Sequence, residues 1–141
     1  MKAYAAPPVA IPWLLRRVGC SYTAEFRAIM AVKDDGEIAG MVGYDLWTET
    51  SCVMHIALEN PAAFRTLLVP AFEYPFVQGG KKVVLAMVRG DNEKSRRLCD
   101  HVGFREVYRV RDGIEAGVDM VLYEMRREEC RWIGQKLRRA A

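Results

Sequence analysis

Between Lys81 and Phe104 the chain reads K-K-V-V-L-A-M-V-R-G-D-N-E-K-S-R-R-L-C-D-H-V-G-F. An apolar run, a polar break, a stretch of helical period and Gly-Phe follow in an order that restricts the architecture more than any other segment. The pattern predicts a buried strand over Lys81 to Val88 and a helix cap at Asp91 or Asn92. A helix of about three turns then carries Leu98, Cys99 and Val102 inward and stops at Gly103. Turns from strand into helix are where α/β sheets open for ligands.

The remaining segments supply neighbours for that unit. Glu25 to Lys33 predicts a strand buried on both faces, Asp34-Asp35-Gly36-Glu37 a hairpin turn, and Ile38 to Trp47 the return strand. A second turn over Thr48 to Ser51 leads into Cys52 to Leu58, completing a three-strand antiparallel meander. Asn60 suits a cap and Pro61 a first helical position, so a helix is expected from Pro61 to about Val69, with Phe64, Leu67 and Leu68 on one face. Pro70 and Pro75 are expected to kink or interrupt it, and Gly79-Gly80 to end it. Glu106 to Arg111 and Asp119 to Met125 predict two strands around an Asp112 to Gly117 loop, before a closing helix with Trp132, Ile133 and Leu137. Upstream, Pro7 and Pro8 make residues 1–10 an irregular arm, and a short helix runs from Pro12 to about Val18.

At 141 residues the chain fits one domain, and with 51% hydrophobic and 28% charged residues it has the composition of a chain that folds. Three early prolines interrupt any signal-peptide core, and the apolar runs fall short of the ~20 residues that span a bilayer, so the expected location is the cytoplasm and no membrane partner is expected. Cys20, Cys52, Cys99 and Cys130 show no C-x-x-C spacing; neither a metal site nor a disulfide framework is indicated, and reduced, buried thiols are expected. The net charge of +3 is uneven: Arg126 to Ala141 holds six basic and two acidic residues, leaving −1 for the rest. That balance argues for a solvated terminal helix over a nucleic-acid-binding tail.

Three antiparallel strands, a helix, a strand, a helix and two final strands form the element order of the Gcn5-related N-acetyltransferase (GNAT) superfamily. Asn92, Ser95, Leu98 and Gly103-Phe104 loosely resemble its N-x-x-[SA]-x-x-x-[LY]-x-x-x-G-F signature, and G-V-D-M-V-L-Y-E-M-R-R-E resembles its last strand. Phe72 to Gln78 and Arg127 to Trp132 are similar to segments of small GNAT-like proteins carried by bacteriophages and prophages. The resemblance spans roughly Glu25 to Ile133. It implies an α+β fold: a single GNAT-like domain with a mixed, mostly antiparallel central sheet, helices on both faces and a splayed central strand pair. The arm and short helix would occupy residues 1–24, the GNAT-like domain 25–133 and a basic tail 134–141. The implied activity is transfer of an acetyl group from acetyl-CoA to a primary amine, with a homodimer among the expected assemblies.

By the same resemblance, the pantetheine arm of acetyl-CoA would lie between Cys52 to Leu58 and Lys81 to Val88. Ile56, Ala57 and Leu58 would face it, with Asn92 and Ser95 at the other wall. The family's pyrophosphate loop reads Q/R-x-x-G-x-G/A, whereas here the aligned positions are Ala63, Thr66 and Leu68. Two arrangements stay open. Either Ala62, Ala63 and Phe64 present their amides at the helix start and Arg65 supplies the counter-charge, or the pocket is lost and a binding or structural protein remains. His55 and Glu59 are the candidate bases, each with a plain alternative: a satisfied histidine on the sheet and a solvated charge at the strand end. The position where many members carry an acidic Tyr holds Cys99, read as a core residue, while His101 is expected on the exposed side of that helix. Tyr44, Asp45 and Trp47 are candidates to line the acceptor site. The short N-terminal helical part implies that this site is open or completed by a second subunit.

Overall fold

The structure, a computed structural model, describes residues 1–139. In chain order it contains β1 (Lys2–Ala5), α1 (Pro12–Leu15), β2 (Arg27–Val32), β3 (Ile38–Asp45), β4 (Ser51–Leu58), α2 (Pro61–Glu73), β5 (Val83–Arg89), α3 (Glu93–Val102), β6 (Arg105–Glu115), β7 (Val118–Arg126) and α4 (Gln135–Arg139). The strands form one sheet in the order β1-β2-β3-β4-β5-β7-β6. Every neighbouring pair is antiparallel except β4 with β5, which the α2 crossover joins in parallel.

Two separate cores cover the sheet. On one face, α2 and α3 bury Leu67, Ala71, Phe72, Val102 and Phe104 against Val42, Met54, Val84 and Tyr123. On the other, the α1 region lays Ile11 and Leu14 over Phe26, Ala28 and Met41. Gly43 makes that second contact close: a Cβ there would sit 2.5 Å from both Leu14 and Phe26 side chains. The strand–turn–helix unit forms as its residues dictate. Asn92 Oδ1 accepts the Ser95 amide at 3.1 Å, and Gly103 ends α3 at φ 110°, a left-handed value that its missing Cβ permits.

Several expectations are corrected. Residues 1–10 are not an irregular arm throughout, because Lys2 to Ala5 pair with Val32 to Ile29 as an edge strand and Pro7 and Pro8 lie beyond its end. β2 is covered on both faces as expected, Ala28 lying in the α1 core and Ala31 in the α2 core, whereas β5 buries only Val84 and Ala86, since its other face has no covering element. Pro70 does not break α2. A proline inside a helix costs roughly 3 kcal/mol, and the burial of Leu67, Ala71 and Phe72 on either side of it offsets that cost. The wider turn over Tyr74–Gln78 absorbs Pro75, with the Gly79 amide donating to Tyr74 O at 2.8 Å. The final hairpin is longer than expected: β6 and β7 run to Glu115 and Val118 around Ala116-Gly117, with an irregularity between Val110 and Glu115 taking up Asp112 and Gly113. Trp132 and Ile133 precede α4, Trp132 Nε1 donating to Val102 O at 2.8 Å and Ile133 being buried. Arg127 Nε holds Leu137 O at 2.8 Å, so the basic tail folds back as far as Arg139; Ala140 and Ala141 lie outside the described residues.

Candidate active site

The parallel ladder between β4 and β5 consists of three pairs, Ser51↔Val83, Cys52↔Val84 and Val53↔Leu85, after which the strands part. Alternation along each strand decides what faces the opening. The Glu59 amide donates to Ala39 O at 2.9 Å, in register with β3–β4, so His55 and Ala57 bond toward β3 while Ile56 and Leu58 direct their backbone groups toward β5. Likewise the Gly90 amide donates to Asp119 O at 2.8 Å, which turns the backbone of Met87 and Arg89 toward β4. The result is a V-shaped gap whose walls carry backbone donors and acceptors without strand partners across it. An extended, amide-bearing ligand satisfies such groups as an added strand would.

Side chains on the two faces of β4 divide the expected residues. Ile56 and Leu58 point to the α2 core, whereas Ala57 packs with the α1 core. Ile56, with Met54, Phe64, Leu68 and Val102, lines an apolar cleft under α2 and α3. Phe64 closes part of that cleft against the His101 ring, 6.0 Å away.

His55 lies on the α1 side where the gap opens. Its Nε2 donates to Asp45 Oδ1 at 2.8 Å, and its ring stacks on Phe26 at 6.2 Å. Both side chains are largely buried, 19% and 10% exposed. With Nε2 committed to the carboxylate, the Nδ1 lone pair is the free proton acceptor. Asp45 is followed by Leu46 at φ 47°, an uncommon conformation for a branched residue and one that ends β3 sharply beside the pair. Burial first, and then the nearby Asp45 charge, push the Cys20 thiol up to about 11, so it stays protonated beside the pair. Sequence reasoning named Asp45 only as a lining residue. Its link to His55 spans ten residues across neighbouring strands and follows from the Asp45↔Val53 and Gly43↔His55 register.

Glu59 is placed differently. Arg17 Nη2 donates to its Oε1 at 2.7 Å while the Arg17 guanidinium lies 3.7 Å over the Trp13 ring, tying the α1 region to the end of β4. At the start of α2, Asn60 Oδ1 accepts the Ala63 amide at 2.9 Å and Asn60 O accepts the Phe64 amide at 3.4 Å. Two of the three amides expected to cradle a pyrophosphate are therefore already engaged, and Ala63 is fully buried. Ala62 keeps its amide for a ligand and Arg65 is exposed one turn on. Asn92 and Ser95 are engaged with each other as the α3 cap. Arg96, which the sequence reading did not single out, donates from Nη1 to Gly90 O at 3.3 Å and braces the β5–α3 turn.

Cys99 is a packing residue, its thiol pushed up to about 12 by burial and by neighbouring Asp100. Tyr44 and Trp47 are engaged in packing. Tyr44 is fully buried with its hydroxyl donating to Ala71 O at 2.6 Å, and Trp47 Nε1 donates to Glu25 O at 3.0 Å. Among the described residues, no group of three His, Cys, Asp or Glu side chains is arranged to hold a metal ion.

The chain matches no protein-family model and no curated protein sequence. Solved structures do match. The spermidine/spermine N-acetyltransferase SpeG from Vibrio cholerae, in complex with manganese ions, superposes with a TM-score of 0.73 at 15% identity, over 89% of this chain and 91% of that one. A SpeG F149A mutant from the same organism gives a TM-score of 0.77 at 14% identity over 96% and 99%. A dodecameric spermidine N-acetyltransferase from Vibrio cholerae gives 0.71 at 16% identity over 89% and 92%. Likeness at this identity is likeness of fold: the chain has the GNAT-like fold, as a single domain with a seven-stranded, mostly antiparallel sheet.

Proposed function

We propose that this chain is an acetyl-CoA-dependent N-acetyltransferase whose acceptor is a primary amine on a small molecule or a protein. The observation that carries the reading is the parting of β4 from β5 beyond Val53↔Leu85 with the His55–Asp45 pair at that point. The spermidine acetyltransferases that share the fold act on amines, which supports the acceptor class. Acetyl-CoA supplies the acyl thioester. On this chain, the outward backbone groups of Ile56 and Leu58 receive the amides of its pantetheine arm, while Ala57 packs behind them. The Ala62 amide and the Arg65 charge meet the pyrophosphate at the α2 N-terminus, and Ala63 and Phe64 build the wall beneath. Asn92 and Ser95 hold the opposite wall by capping α3. His55 Nδ1 takes the proton shed by the attacking amine, and Asp45 orients the ring and stabilises its charged form. We assign the base to His55 over Glu59 because Arg17 already occupies the Glu59 carboxylate. No described helix is long and apolar enough to cross a membrane, and a cytoplasmic setting is part of the proposal.

The test is thermal unfolding with and without acetyl-CoA. A ligand at 100 times its dissociation constant adds about 2.7 kcal/mol, a shift of several degrees for a domain of this size. No shift at millimolar acetyl-CoA defeats the reading. The engaged Ala63 and Phe64 amides favour one alternative: a catalytically degenerate binding or structural protein of phage origin that keeps the fold without the cofactor.

A further inference from the structure

Where β1 stops, the edge of the sheet opens into a cleft of about 620 Å³, within the roughly 300–1,000 Å³ of small-molecule sites. Its cause is local. The Ala6 amide donates to Ala28 O at 2.9 Å, and Pro7 and Pro8, which have no amide to add, end the pairing there. Ala24 to Arg27 project beyond that point, so the cleft bends around the sheet edge and takes walls from both faces. The small side chains of Ala3 and Ala5 leave its β1 wall shallow.

Alternation along β2 makes the two sides of the cleft chemically different. Phe26 and Ala28 belong to the α1 core, and Arg27 between them takes the α2 side. On the α1 side, Tyr4, Tyr22 and Phe26 form an aromatic lobe, with the Tyr22 and Phe26 rings 6.0 Å apart and both tyrosines 50% exposed. On the α2 side, Arg27 and Glu73 line a charged lobe beside Tyr74. Among the described residues neither charge has an ion-pair partner. Arg27 is held by its own loop, Nη1 donating to Ala24 O at 3.1 Å and Phe26 O at 2.9 Å, which leaves Nη2 and Nε for a ligand. Phe26 is also the partition between the cleft and the candidate base: its ring lies over Gly43 and stacks on His55 at 6.2 Å. The cleft is therefore a site apart from the gap between β4 and β5.

We infer that this cleft binds a small zwitterion with an aromatic side chain, an aromatic amino acid or its dipeptide. Such a molecule sends a charged head and an aromatic ring in different directions, as the two lobes require. Its carboxylate takes the free guanidinium donors of Arg27, and its ammonium takes Glu73 with Tyr74 beside it. Its ring meets Tyr22 and Phe26 in the offset or edge-to-face arrangements that aromatic rings prefer. A simple amine leaves Arg27 unpaired and brings like charge against it, and an aromatic acid does the same to Glu73. The inference stands independently of the acetyl-transfer reading, which assigns no role to Arg27 or Glu73.

The experiment is isothermal titration calorimetry of the full chain, without acetyl-CoA, using L-phenylalanine, glycyl-L-phenylalanine, phenethylamine and 3-phenylpropionate. The expected result is saturable binding of the amino acid or the dipeptide, about tenfold or more tighter than of the amine or the acid; whichever zwitterion binds tighter names the source. Glu73→Gln and Arg27→Gln should each weaken that binding about tenfold or more, with circular dichroism as the check on folding, while His55→Gln leaves it unchanged. Glu73 has no ion-pair partner to lose, so its variant folds even if Arg27→Gln does not. No binding of either zwitterion at millimolar concentration overturns the inference, as does equal binding of phenethylamine or 3-phenylpropionate. Binding lost in His55→Gln but kept in Glu73→Gln puts the ligand at the candidate active site and overturns it too. Stabilisation by acetyl-CoA decides the enzymatic reading separately, whichever way the calorimetry falls.

Discussion

Strands β2 to β4 are sandwiched between α2 and the α1 region, while β5, β7 and β6 are covered by α3 and the C-terminal segment on one face alone. In the first half, long-range packing sets the stability: Tyr44, Phe26, Phe72 and Leu14 are almost completely buried. In the second, cross-strand hydrogen bonds and surface ion pairs hold an eleven-residue strand, β6, in which every residue but Gly113 is exposed. The candidate site lies on the boundary, where the sheet passes from doubly to singly covered and the ladder between β4 and β5 ends. A closed ladder has no room for a ligand, and an uncovered face has no walls; the boundary supplies free backbone groups beside a packed, oriented imidazole.

The sharpest way to break this contrast is Phe72→Ala. Phe72 stacks on Phe76 at 6.3 Å and meets Phe104 at a tilt at 5.9 Å, and its truncation should cost about 3–5 kcal/mol in urea unfolding. A loss under about 1 kcal/mol would mean that the doubly covered half is not the stabilising one. His55→Gln should lower kcat for acetyl transfer by roughly 10²–10⁴-fold while the unfolding midpoint barely moves; equal losses in activity and stability would make the histidine a packing residue. Leu46→Gly should stabilise by about 1 kcal/mol through relief of its left-handed backbone, read by thermal unfolding. Tyr108→Ser, on the open face, should change the unfolding free energy of the single chain by less than about 0.5 kcal/mol. The smallest effect belongs to Arg89–Asp91. The Asp91 carboxyl is held below its usual 3.8 chiefly by hydrogen bonding to Arg89, so its contribution is present above pH 3.8 and fades as pH falls through the lower folded value. Wild type and Asp91→Asn should therefore converge in urea midpoint below pH 3.8, and a constant difference would remove the pair from the account.

Much of the fold was legible because its signals are local. The Asn60 and Asn92 caps, the Gly103 stop and the Asp34-Asp35-Gly36 turn act within four residues, and each formed where expected. What was illegible depended on partners far along the chain. K-A-Y-A becomes a strand only because β2 offers an edge, and Pro70 stays in α2 only because the helix is buried on both sides of it. At the site, His55 was legible as a residue type in a promising strand, but the Asp45 carboxylate that orients it and the Arg17 that occupies Glu59 were not.

By itself, the sequence determined the order of strands and helices from β2 onward, since periodicity, caps and glycine stops are short-range properties, and that order resembles the GNAT superfamily's. Tertiary structure alone decided where β4 and β5 part, which amides at α2 stay free, which side of β4 His55 takes, and that one face of Lys81 to Val88 lies bare. Those outcomes depend on register and on competition among distant groups for the same hydrogen bonds and the same apolar surface.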